Sequence, residues 1–181
     1  MSIDPAANPA TIAAVRERFG NHMRHVGNDV LLILLKGHLL VEKSMNEYLA
    51  EILPNPKPAL KQDGPATFFR KIELIEMVSP FAQAHRGALI ESLKALNTAR
   101  NELVHYLDSK DGETKLDSFL RTQFVRAARE AVPSSQDIGL ADLDDNGLAR
   151  TLKHALESIC VVMRIRTDIE IVRNNARMHT G

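Results

Sequence analysis

The 181-residue chain sets 23 lysines and arginines against 23 aspartates and glutamates, so no global positive field draws it to nucleic acid or to an anionic membrane. Hydrophobic residues at 44% and charged residues at 25% are the proportions of one folded domain and exclude a disordered tail or a coiled rod. A single cysteine, Cys160, excludes an internal disulfide and a cysteine-built zinc site, and the longest apolar run, Val30 to Leu35, is far short of the roughly 20 residues that span a bilayer.

Residues 1–10 carry two prolines and no periodicity, which predicts a flexible N-terminus without the pattern of a signal peptide. A first helix is expected from about Thr11 to His25, broken and recapped by Gly27, Asn28 and Asp29. A second runs from about Val30 to Leu53 and stops at Pro54, Pro56 and Pro58, which cannot continue it. After a loop to Gly64 and Pro65, a third covers Ala66 to Val78 and ends at Ser79 and Pro80. The fourth starts near His85 or Arg86, reaches Asp108 and turns at Lys110, Asp111 and Gly112. The fifth spans about Glu113 to Ala131. The Pro-, Ser-, Gly- and Asp-rich stretch that follows predicts an exposed loop up to Gly147. The sixth, Leu148 to Arg177, is the longest. Aromatics are 4% of the chain, tryptophan is absent, and Leu, Ala, Glu, Lys and Arg recur at three-and-four spacing. The expected fold is therefore all-α: an antiparallel helical bundle with a four-helix core plus N- and C-terminal helices, one domain over residues 11–181. A soluble, cytoplasmic protein without a membrane role is the matching expectation.

Two of the predicted core stripes carry polar residues. On the second helix Leu31, Leu35, His38, Glu42, Met45 and Leu49 recur at spacings of four and three. On the fourth the same rule selects Leu89, Leu93, Leu96, Arg100, Leu103 and Leu107, with a guanidinium where a leucine belongs. A buried unpaired cation costs several kcal/mol, so a carboxylate is expected against Arg100, and Glu42 is the obvious one. His38 would be a satisfied interior histidine or a buttress to that pair. Asn97, Asn101 and His105 fall in a polar strip beside Arg100. Two readings stay open. In one, Arg100 and Glu42 are a structural ion pair fixing helix register. In the other, a cation, an orienting amide and an imidazole form a site for phosphoryl chemistry that needs no metal.

The stretch Leu96-Asn97-Thr98-Ala99-Arg100-Asn101-Glu102-Leu103-Val104-His105 resembles the signature of HEPN domains, an Arg followed by a polar residue with a His a few positions on. Gly37 to Leu49, GHLLVEKSMNEYL, and Phe68 to Val78, FFRKIELIEMV, are similar to the preceding helices of HEPN-like and mannitol-operon-repressor-like bacterial proteins. The resemblance covers about residues 30 to 108. It implies a helical bundle that dimerises, with Arg100, Asn101 and His105 of both copies lining one cleft for metal-independent RNA cleavage. On this resemblance Arg100 neutralises charge on the phosphoryl oxygens, His105 serves as general base or acid, and Asn101 orients phosphate or imidazole. Glu42, His38 and Asn97 would support them. A toxin or defence setting, with an antitoxin or regulatory protein as partner, belongs to the same expectation. The alternative is a noncatalytic interaction or regulatory module on the same scaffold. Toxins of one HEPN branch carry a tyrosine two residues after the histidine, where this chain has Leu107, with Tyr106 adjacent to His105. Tyrosine modification by an antitoxin is therefore not expected.

No cofactor or metal is expected. Asp142 to Gly147 matches the first half of a calcium loop, but Lys153 stands where the bidentate glutamate belongs, and helix capping explains the acids better. His22 and His25 read as surface histidines, Cys160 as a packed core residue, and the loose repeat Arg173, Asn174, His179 as coincidence. Arg164, Arg166, Arg173 and Arg177 are expected to give the sixth helix a local basic face.

Overall fold

The computed structural model describes residues 8–56, 67–79, 87–107, 109–131 and 145–178, with the side chains of residues 104, 107, 145 and 146 outside that description. Six helices and no strand occur among these residues. They are α1 (Pro9–Met23), α2 (Val30–Ile52), α3 (Phe68–Val78), α4 (Ala88–Leu107), α5 (three contiguous stretches, Gly112–Phe119, Leu120–Val125 and Arg126–Ala131) and α6 (Asp145–Met178). The all-α helical bundle expected from the sequence is what the chain forms.

Local chemistry sets the ends. Asn8 caps α1 by accepting from the amide of Ala10, and Pro9 takes the first helical position, where its missing N–H costs nothing. Pro9 and Ala10, expected in the flexible terminus, thus already belong to the helix. Asp29 caps α2 through the amide of Leu32 at 2.9 Å, and Thr67 caps α3 through that of Arg70 at 3.2 Å. The fifth helix was expected to be uniform, but its middle stretch, Leu120–Val125, is π-helical. Within it the Thr122 hydroxyl donates to the carbonyl of Ser118, the back-bonding that disturbs helical ladders.

Packing runs through α2, whose Ile33, Leu34, Val41, Met45 and Leu49 are fully buried against Leu93 and Leu96 of α4 and Leu152, Leu156 and Ile159 of α6. Close approach of α2 to α6 depends on Gly37: a Cβ there would overlap the side chain of Leu156. At the other end of this pair, the amide of Asn174 donates to the carbonyl of Glu51 at 2.9 Å, so the two helices run in the same sense. α3 also runs alongside α2 in the same sense, with Phe68 at His38, Lys71 at Glu42 and Ser79 at Tyr48. The α4 helix lies against both in the opposite sense, Lys94 meeting Glu76 at 3.5 Å. Directions in the bundle therefore alternate only in part. No helix among the described residues is long and apolar enough to cross a membrane.

Candidate functional site

The buried face of α4 decides what happens at Arg100. It passes through Leu93, Leu96, Ala99 and Leu103, so the inward place expected for Arg100 is taken by the residue before it. The Arg100 side chain is exposed. Nη1 donates to Oδ1 of Asn101 at 3.0 Å, and no carboxylate pairs with it among the described residues. The buried arginine expected from the leucine periodicity is thereby corrected, and so is its partner. Glu42, half-buried, accepts instead from Nζ of Lys71 at 2.7 Å, and the lysine is the buried member of the pair.

Lys71 was missed in the sequence although its spacing announces it. Phe68, Lys71, Ile72 and Ile75 form the buried face of α3, so the chain placed a cation on a core stripe here, one helix earlier than Arg100. The amphipathic stem of the lysine covers apolar surface while Glu42 holds the ammonium.

His38 is 7% exposed and stacks on Phe68 with ring centroids 4.1 Å apart. Its Nε2 is buried without a hydrogen-bond partner among the described residues. Burial pushes its pKa down to about 4; Glu42 works against that shift, while Arg100 and Lys71 add to it. The imidazole is therefore neutral at pH 7. It lies within electrostatic reach of Arg100, so His38, Glu42, Lys71 and Arg100 form one cluster across α2, α3 and α4, with only Arg100 at the surface.

Asn101 and His105 are both exposed on α4, and Asn97 is half-buried. Asn101 and His105, four residues apart, share a face. Arg100 and His105 are five apart, which turns them about 140° from one another round the helix axis. One chain therefore brings Arg100 and Asn101 together and leaves His105 facing elsewhere. The expected basic face of α6 is neutralised in part: Arg164 pairs with Asp168 at 2.8 Å and Arg173 with Glu170 at 2.9 Å. Asn174 is engaged with α2, so the Arg173-Asn174 repeat serves packing; His179 lies outside the described residues, as does most of the Asp142 to Gly147 segment. Burial pushes the Cys160 thiol up to about 11, which leaves it protonated and without nucleophilic use at neutral pH.

Leu35 and Leu39 of α2 and Phe69 of α3 are exposed, the leucines one turn apart and flanking His38 in the sequence. The class that fold and site define is an all-α bundle with an Arg–Asn pair and a histidine displayed on one helix, and exposed leucines on another. No family model, curated protein or solved structure matches the chain.

Proposed function

We propose that the chain is a metal-independent endoribonuclease in which Arg100 and Asn101 of one copy and His105 of a second act on one phosphodiester. The observation that carries this is the state of Arg100: a guanidinium on the surface, steadied by an amide and not neutralised by a carboxylate. Desolvation, which the sequence pattern invoked, gives no support here. The support comes from availability, because an exposed cation without a carboxylate partner can meet a phosphate whereas one locked to Glu42 cannot.

In the proposed reaction the ribose 2′-oxygen forms a bond to phosphorus and the bond from phosphorus to the leaving 5′-oxygen breaks. An imidazole accepts the 2′-hydroxyl proton, and a protonated imidazole or water supplies one to the leaving oxygen. Arg100 stabilises the charge that gathers on the nonbridging oxygens, and Asn101 fixes the plane of the guanidinium. The products are a 2′,3′-cyclic phosphate and a 5′-hydroxyl, and DNA is inert because it lacks the internal nucleophile. A toxin or defence setting with an antitoxin or regulatory partner accompanies this reading. The test is incubation with mixed RNA in EDTA. Wild type should cut, Arg100→Ala and His105→Ala should not, and uncut RNA with wild type would sink the proposal.

A second reading, a noncatalytic interaction module, is favoured by exposed Leu35 and Leu39, which flank His38 in the sequence. It predicts intact RNA and a partner interaction weakened by Leu39→Lys.

A further inference from the structure

The chain is poor in aromatic residues, and the structure uses most of them for packing. Phe19, Tyr48, Phe68 and Phe124 are buried, and only Phe69, Tyr106 and Phe119 reach solvent among the described rings. Two of those three line one open hollow between the end of α4 and the start of α5, with Thr114, Lys115, Ser118, Thr122 and Gln123 as its other walls. Its volume, about 580 Å³, lies in the range of small-molecule clefts.

The hollow is held in place from below. Tyr106 and Phe119 are half-buried and rest against the core, so their rings are anchored and only part of each is offered to solvent. The turn joining the two helices is closed so tightly that a Cβ at Gly112 would overlap the carbonyl of Tyr106. The Thr122 hydroxyl spends its proton on Ser118 and keeps its lone pairs free. Lys115 is exposed and has no carboxylate partner among the described residues, while Ser118 and Gln123 are exposed and uncommitted. Aromatic faces, uncommitted amide and hydroxyl groups and one free cation are the set that stacks a nucleobase, reads its edge and holds the attached phosphate.

Tyr106 directly follows His105. We propose that this hollow is a nucleobase subsite: it takes the base of the nucleotide beside the phosphodiester that His105 addresses, and so positions single-stranded RNA for cleavage. The proposal rests on the ribonuclease reading for its role and on the hollow alone for its binding.

The chain contains two tyrosines, so labelling with 3-fluorotyrosine gives two ¹⁹F resonances, and buried Tyr48 serves as an internal control. Titration of the full chain with the four nucleoside 3′-monophosphates should move the Tyr106 resonance saturably for at least one of them and leave that of Tyr48 in place. Inorganic phosphate should move neither. His105→Ala should keep the response, and Phe119→Leu should weaken the affinity about tenfold, at the lower end of what losing one stacking face costs. A Tyr106 resonance that stays put at millimolar nucleotide, or one that moves equally with phosphate, overturns the subsite. RNA cleavage with a silent Tyr106 would sink the subsite alone, and a responding Tyr106 without cleavage would sink the ribonuclease reading alone.

Discussion

His38 binds a proton more readily in the unfolded chain than in the folded one, because folding strips its imidazole of water and sets it between Phe68 and two cations. Unfolded, it titrates at its ordinary value of 6.5; folded, at about 4. Above pH 6.5 both states are neutral and stability is at its full value. Between 6.5 and 4 the unfolded state takes up a proton that the folded state refuses, so stability falls as pH falls, by about 3 kcal/mol in all. Urea unfolding at a series of pH values should therefore show a loss through this window that His38→Leu lacks, whereas the loss from carboxylate titration lower down should be common to both. Equal slopes would mean that His38 is solvated in the folded chain. The neighbouring pair obeys a different rule. Glu42→Gln leaves the buried Lys71 ammonium without its counter-charge and should cost about 2 kcal/mol, less than a fully enclosed pair because Glu42 is partly solvated. Glu42→Gln with Lys71→Met should recover most of that, read as a double-mutant cycle in thermal unfolding.

At the scale of elements, the helix ends were legible because capping is local. Asp29 caps α2 as the sequence suggested, and α3 and α5, expected from Ala66 and about Glu113, begin within two residues of those positions at Phe68 and Gly112. The π-helical middle of α5 was not, because it has the same residue types as an ordinary helix and differs only in how its ladder closes. Arg100 shows the limit of periodicity. Spacings of three and four fix the inward face only to within about one residue, and after Leu96 the buried place is held by Ala99 and not by Arg100. Lys71, by contrast, was missed although its phase with Phe68, Ile72 and Ile75 places it on the buried face of α3. Helix contact gives its own prediction at Gly37, where an added methyl would enter the space of Leu156. Gly37→Ala gains about 1 kcal/mol of helix propensity but overpacks a fully buried seam, and a net loss of about 1–2 kcal/mol should result. In the Leu156→Ala background the same change should cost nothing or stabilise, which urea denaturation of the four variants would show.

At the scale of the whole molecule, the proposed ribonuclease reading separates function from stability at the exposed Arg100 and His105. Exposed side chains without an ion-pair partner contribute little to folding, so Arg100→Ala and His105→Ala should each change unfolding free energy by no more than about 0.5 kcal/mol while abolishing the proposed RNA cleavage. A larger loss for Arg100→Ala would return it to a structural role. On the ribonuclease proposal, the 140° between the two residues has a phosphate held by Arg100 of one copy approached by His105 of another. Such a composite site, repeated by two-fold symmetry, can be rebuilt from two dead proteins. When Arg100→Ala and His105→Ala chains exchange freely, half of the dimers are mixed, and in each mixed dimer one of the two sites has both residues intact. About a quarter of wild-type activity should return, from subunits that are inert alone. The recovery should rise with mixing time as the subunits exchange. Activity that stays absent after exchange, with mixed dimers present by mass, would place Arg100 and His105 in separate roles.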